Sequence, residues 1–156
     1  YYLRPYIQPI SLEMFLSLFF NGVQVRGRVD RIDQIHQEEY WVVDYKTSKK
    51  KKSGNELNKD FQMICYHSAA LDKFKVEHKN VRVGLLFLCP QEKVNGVYQP
   101  SKMALNMTQI TEENIEVATQ VITESDTLLK NGHFHYVANS GKWQCPYCNY
   151  YQKCGR

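Results

Sequence analysis

The stretch Ile10–Asp33, ISLEMFLSLFFNGVQVRGRVDRID, decides the fold class. Ile10, Leu12, Met14, Leu16, Leu18 and Phe20 alternate with Ser11, Glu13, Phe15, Ser17 and Phe19, the period of a strand. Asn21-Gly22 follows, and that dipeptide favours a two-residue hairpin because both turn positions need positive φ. A second strand then runs from Val23 to about Asp33, with Val23, Val25, Gly27 and Val29 on one face. A polar loop from Gln34 to Glu39 separates it from a third strand, Tyr40 to Thr47. The three form an antiparallel meander.

The turn fixes the register. With Phe20 opposite Val23, paired residue numbers sum to 43, and Glu13 faces Asp30. With the next loop centred on Gln37 they sum to 74, so Asp30 faces Asp44 and Arg28 faces Lys46. Directly opposed residues have Cβ atoms roughly 4.5–5.5 Å apart. The expectation is a row of Glu13, Asp30 and Asp44 across three strands, with Lys46 about 7 Å further along the same face. Like charges side by side destabilise a sheet, and a hard divalent cation held by oxygen ligands relieves them. Carboxylates, such a cation and a lysine are the apparatus of phosphodiester hydrolysis. The competing reading is a solvated sheet face whose acids pair with Arg26, Arg28 and Arg31.

Beyond the meander, Ser48 to Asn58 reads as a flexible loop with four consecutive lysines, Lys49, Lys50, Lys51 and Lys52. A helix is predicted from about Lys59 to Phe74, with Phe61, Ile64 and Cys65 toward the core. Val81 to Cys89 reads as a buried strand ended by Pro90. Gly96 marks a turn, and Lys102 to Thr108 suits another strand. Thr111 caps a long helix ending near Lys130, with Gly132 as its stop signal. The order implies an α/β fold: a central mixed β-sheet, antiparallel at its N-terminal end, flanked by helices.

The size suits one domain: 156 residues, 43% hydrophobic and 23% charged. The absence of an N-terminal Met suggests a fragment. No apolar run is long enough for a membrane span, no leader is visible, and the net charge of +4 permits a polyanionic partner. Of five cysteines, Cys145, Cys148 and Cys154 crowd the tail (residues 133–156), which points to metal or cluster ligation and a reducing, cytoplasmic setting. Cys65 and Cys89 read as buried small hydrophobes. His36, His67 and His78 read as ordinary surface or core histidines.

The segments Gly27-Arg28-Val29-Asp30-Arg31-Ile32-Asp33 and Trp41-Val42-Val43-Asp44-Tyr45-Lys46-Thr47 resemble the two core motifs of RecB-like exonuclease domains in the PD-(D/E)XK nuclease superfamily. The resemblance implies a restriction-endonuclease-like core and a Mg²⁺- or Mn²⁺-dependent DNA nuclease. It casts Asp30 and Asp44 as metal ligands, joined by the Tyr45 carbonyl, and Lys46 as the catalytic lysine. Glu13 stands where the family often carries a further acid. Gln62 and Tyr66 fit the family's Q-x-x-x-Y helix, sharing one face beside the active site.

The pattern Cys145-x₂-Cys148-x₅-Cys154 resembles the C-terminal part of the iron–sulfur staple of AddB-type and CRISPR-associated nucleases. There a fourth cysteine upstream of the core completes a [4Fe–4S] cluster. Zinc with His133 or His135 as fourth ligand is the alternative, as are three free thiols. The family's upstream helices and their active-site histidine have no counterpart here, so the fragment alone is expected to be incomplete. Lys49–Lys52 follow Lys46 directly; such a run is usually a solvated loop, but its position here suggests a grip on the phosphates of single-stranded DNA or a DNA end. The resemblance further implies a DNA substrate, as single strands or duplex ends. It suggests a role in recombination, repair or phage DNA processing, with a helicase or recombination partner. Two rival readings are a non-catalytic RecB-like module that binds DNA or a helicase, and a zinc-bearing interaction protein on an unrelated core.

Overall fold

The computed structural model describes residues 8–132. The N-terminal meander consists of β1 (Pro9–Phe20), β2 (Val23–His36) and β3 (Glu39–Lys46). Asn21 and Gly22 take φ of 47° and 80° at the first turn, as a two-residue hairpin requires. Helices α1 (Gly54–Leu57) and α2 (Phe61–Phe74) lead to β4 (Val81–Phe87). A small hairpin, β5 (Gln91–Val94) and β6 (Val97–Pro100), then β7 (Ala104–Thr108) and α3 (Glu112–Lys130) complete the order. The main sheet runs β1-β2-β3-β4-β7, with β3 and β4 parallel and every other pair antiparallel. A parallel pair needs a long crossover, and α2 supplies it. This is the expected α/β fold with a mixed sheet flanked by helices.

The core fills the space between one sheet face and α2. Ile32, Val42, Val81, Val83, Leu85 and Phe87 meet Met63, Ile64, Tyr66 and Ala70, and Ala118 adds a contact from α3. Burying one such aliphatic side chain contributes roughly 1.5–3 kcal/mol. The interior strand β4 runs so close to β7 that a Cβ on Gly84 would lie 2.3 Å from the Asn106 carbonyl oxygen.

The helix starts are set by side chains. Asp60 accepts from the Gln62 and Met63 N–H groups and caps α2. Thr111 closes a capping box with Asn114 at the head of α3, and Gly132 takes φ of 72° beyond its end.

Several expectations need correction. The stretch Ser48–Asn58 is not all loop: Ser53 and Glu56 form a capping box that starts α1, and Leu57 is fully buried. The helix expected from Lys59 begins at Phe61, because Asp60 is its cap, and Phe61 itself is exposed. The expected turn at Gly96 is present, but it closes a separate two-stranded sheet, β5–β6, that the expectation lacked. Cys65 is half-buried and Cys89, beyond the end of β4, is exposed. On β1, Ile10 and Leu12 are exposed, whereas Leu16, Leu18 and Phe20 are buried.

That last difference has a local cause. Glu13 has φ of 51°, in the left-handed region that alternation ignores. On β2 the core residues step by three, from Val29 to Ile32, where an undisturbed strand steps by two. The sheet therefore exchanges its inward parity at Glu13 and Asp30. The tail, residues 133–156, with Cys145, Cys148, Cys154, His133 and His135, lies outside the described residues.

Candidate active site

The expected register holds on both sides of β2. Phe20↔Val23 through Met14↔Val29 sum to 43, and Arg31↔Val43 through Gln34↔Tyr40 sum to 74. The acids themselves are left out of the pairing, although the β1–β2 ladder resumes beyond them in the same register at Leu12↔Arg31 and Ser11↔Ile32. No Glu13–Asp30 pair is formed, and the β2–β3 pairing ends at Arg31↔Val43, one step before Asp30 would meet Asp44.

Past that point β2 and β3 are joined through side chains. Asp30 Oδ2 accepts the Tyr45 N–H at 2.9 Å. The Tyr66 hydroxyl, from α2, lies 2.7 Å from the Arg28 carbonyl oxygen and 3.1 Å from Asp44 Oδ1. A phenol has one proton for these two acceptors. Gln62, one helical turn earlier on the same face, donates from Nε2 to Asp44 Oδ1 at 2.9 Å and to the Tyr66 hydroxyl at 2.8 Å. Its other amide atom, Oε1, accepts from Lys46 Nζ at 3.0 Å. One amide therefore holds the acid and the amine together.

Asp44 is 4% exposed. Its Oδ2 is buried without a hydrogen bond, and Lys46 Nζ lies against it at 2.6 Å. Burial, followed by the Asp44 charge, raises the Tyr66 hydroxyl above its ordinary range, so it stays a neutral phenol. Behind the site, Asp33 is fully buried, and burial pushes its carboxyl up to about 6. The Arg31 Nε–H, 2.8 and 3.0 Å from its two oxygens, supplies the compensation that a buried carboxylate requires.

The structure thus gathers Asp30, Asp44, Tyr45, Lys46, Gln62 and Tyr66. It does not build the expected three-acid row. Glu13 is turned to Arg28, its Oε2 2.7 Å from Arg28 Nε, with both side chains more than half exposed. Among the described residues, no three acidic, histidine or cysteine side chains converge as a cation site. Two carboxylates bracket one peptide, because Asp30 bonds the N–H of the residue that follows Asp44.

Of the lysine run, Lys49 and Lys50 are exposed, Lys51 is half-buried, and Lys52 pairs with Asp60 at the head of α2. Sequence reasoning missed this second use of Asp60, and also the Arg31–Asp33 brace. The signals were present: an Asp before a helical run, and opposite charges two apart on one strand face.

A family model described as the PD-(D/E)XK nuclease superfamily matches residues 2–155. No curated protein matches the chain. Membership implies a nuclease-type hydrolase with DNA as substrate, in a superfamily that typically uses divalent metals such as Mg²⁺. Among the described residues no helix is long and apolar enough to cross a membrane. The match spans nearly the whole chain, and the fold brings the two motif acids, the lysine and the helix pair into one cluster: the chain belongs to the PD-(D/E)XK nuclease superfamily.

Proposed function

We propose that this chain is the core of a Mg²⁺- or Mn²⁺-dependent deoxyribonuclease of the RecB-like kind, working as an exonuclease in cytoplasmic DNA recombination, repair or phage DNA processing. The observation that carries the reading is the joint hold of Asp44 and Lys46 by the Gln62 amide. A helix side chain that fixes an acid and an amine within 3 Å of each other is poorly explained as surface chemistry.

The donor set fits a hard divalent ion. Asp44 Oδ2 is a buried acceptor satisfied, among the described residues, by the Lys46 ion pair and by no hydrogen bond, and Asp30 brings a second carboxylate to the adjoining peptide. Asp30, Asp44 and the Tyr45 carbonyl would hold the ion. When bound, it supplies Lewis acidity toward the scissile phosphate and a lowered pKa for water.

The chain's own residues do the rest. Lys46 is a fixed cation, one-third exposed, aimed where negative charge develops as water adds to phosphorus and a P–O bond breaks. Gln62 prevents the amine from swinging away. Tyr66, as a neutral phenol, donates its one proton to the Arg28 carbonyl and lies against Asp44 without contributing charge. Lys49, Lys50 and Lys51 extend positive charge from the site along a phosphate track. Cys145, Cys148 and Cys154 are proposed as a [4Fe–4S] or Zn²⁺ set with a ligand from elsewhere, testable by iron and zinc content of purified protein.

The test of the enzymatic reading is Asp44→Asn, which keeps the acceptor beside Gln62 and removes the charge. With Mn²⁺ present, wild type should degrade end-labelled linear DNA and spare closed circles. Asp44→Asn should lose activity by on the order of 10²-fold or more while melting like wild type. Wild-type turnover by the folded variant would refute the assignment.

A further inference from the structure

The β5–β6 hairpin stands apart from the main sheet. Its four pairs, Gln91↔Pro100 to Val94↔Val97, form a separate two-stranded sheet, and every residue from Glu92 to Pro100 is exposed. An isolated two-stranded hairpin is marginal in water, yet this one presents Val97 at 62% and Tyr98 at 67% exposure.

It is nevertheless firmly rooted, and its root is the candidate site. The Leu88 N–H donates to the Lys46 carbonyl at 2.9 Å, and the Gln91 N–H donates to the Lys49 carbonyl at 2.8 Å. The Ser101 N–H closes the base on the carbonyl of buried Pro90 at 2.9 Å. The hairpin thus grows from the peptides that carry Lys46 and the lysine run, and extends about 13 Å beyond them at the usual rise of a strand.

One face of the ribbon pairs Lys93 with Tyr98, the ammonium 5.9 Å from the ring centroid. An exposed aromatic ring beside a cation, continuous with a basic loop and a phosphate-cleaving site, suits single-stranded nucleic acid. The ring offers a stacking platform to an unpaired base, and the lysine meets the neighbouring phosphate. A duplex keeps its base faces stacked internally and cannot use the ring in this way.

We propose that β5–β6 is a strand-guiding arm: Tyr98 stacks on a base of single-stranded DNA, and Lys93 neutralises its phosphate, as the strand passes the Lys46 site. This rests on the nuclease reading given above.

The experiment measures binding without cleavage, using the full chain in an Asp44→Asn background and fluorescence anisotropy of labelled oligothymidine and of a blunt duplex. Tyr98→Ala should weaken oligothymidine binding about tenfold and leave duplex binding unchanged, whereas Tyr98→Phe should retain the affinity. The arm is refuted if Tyr98→Ala binds oligothymidine as tightly as its parent, or loses both ligands equally. It is also refuted if sedimentation shows that Tyr98→Ala splits a dimer, since the ring would then be a subunit contact. Failure of the Asp44→Asn parent to bind any DNA would sink the nuclease reading itself, an outcome distinct from failure of Tyr98 alone.

Discussion

Replacing Gln62 by Met tests whether the amide is what organises the site. Methionine matches glutamine in length and lack of branching, so packing on half-buried α2 is preserved while three polar contacts vanish. The stability cost follows from the proton count. Tyr66 sits closer to the Arg28 carbonyl than to Asp44 Oδ1, so in wild type Gln62 is the donor that Asp44 Oδ1 relies on. Without Gln62 the phenol can serve only one of its two acceptors, and one buried polar group goes without a donor, at about 1–3 kcal/mol. Lys46 is one-third exposed, so solvent screens its loss of Oε1, and we assign about 2 kcal/mol in total. The kinetic cost should be larger. Lys46 keeps its attraction to Asp44 but loses the partner that fixes its direction, which predicts a kcat lower by roughly 10- to 100-fold with KM nearly unchanged. Single-turnover cleavage of end-labelled DNA and urea denaturation read the two effects separately. Gln62→Glu, which sets a second carboxylate against Asp44, should be worse in both. If Gln62→Met cleaves at the wild-type rate, the amide is not the organiser and the reasoning fails.

Three further outcomes follow from the geometry. His67 is fully buried, and burial lowers its pKa to about 4 from an ordinary value near 6.5. Between those values the unfolded chain binds the extra proton, so stability should fall as pH drops from 6.5 toward 4, by roughly 3 kcal/mol in full. Urea midpoints at neutral and acid pH should show the fall shrinking in His67→Leu, and an unchanged pH dependence would contradict it. Gly84→Ala should cost about 3 kcal/mol and several degrees of Tm, because the new methyl meets the Asn106 carbonyl and Met107 sulfur on β7; an unshifted melt would show that β7 can retreat freely. Replacing Lys49, Lys50 and Lys51 by Ala should flatten the salt dependence of single-strand binding by about 0.7 for each phosphate no longer neutralised, as read from log K against log salt. Lys52→Ala should instead act on stability through Asp60, and a full slope in the triple variant would remove the track.

The hairpin and its register were legible because one dipeptide, Asn21-Gly22, fixes both turn geometry and pairing, and alternation carries that phase along the strands. Legibility stopped where alternation stops being the governing rule. Glutamate is not a residue that advertises positive φ, so the kink at Glu13 left no signal, and every face assignment upstream of it inverted. The β5–β6 turn carries the same cue as the first, Asn95-Gly96, with φ of 49° and 82°, but its flanks lack the apolar alternation that marks a half-buried strand. Helix α1 was hidden for the opposite reason. Its Ser53–Glu56 capping box lies in plain view beside four lysines that suggest a loop. At the site, the identities of Asp30, Asp44 and Lys46 were readable, while the way they meet was not. Sequence spacing gives strand neighbours, whereas the contact between Gln62 and Lys46 depends on how α2 lies across the sheet.

The interruption of the β2–β3 ladder is costly in itself, and the manner of its repair explains why the site is where it is. Ending the pairing at Arg31↔Val43 leaves the Tyr45 N–H and the Arg28 C=O beyond the last β2–β3 pair; a buried backbone group left bare costs about 1–3 kcal/mol, a cost that falls on the part-buried Arg28 carbonyl more than on the exposed Tyr45 N–H. Both find a partner in a side chain of the candidate site: Asp30 takes the N–H, and Tyr66 reaches the carbonyl. Two strands that stayed paired would close the gap and press Asp30 against Asp44. At the opening Asp30 bonds the peptide that follows Asp44, and the α2 face enters with Gln62 and Tyr66. Folding and chemistry therefore draw on the same few groups. A neutral, non-hydrogen-bonding replacement at Asp30 or Tyr66 cannot be read as a loss of chemistry alone, because each side chain also ends a strand.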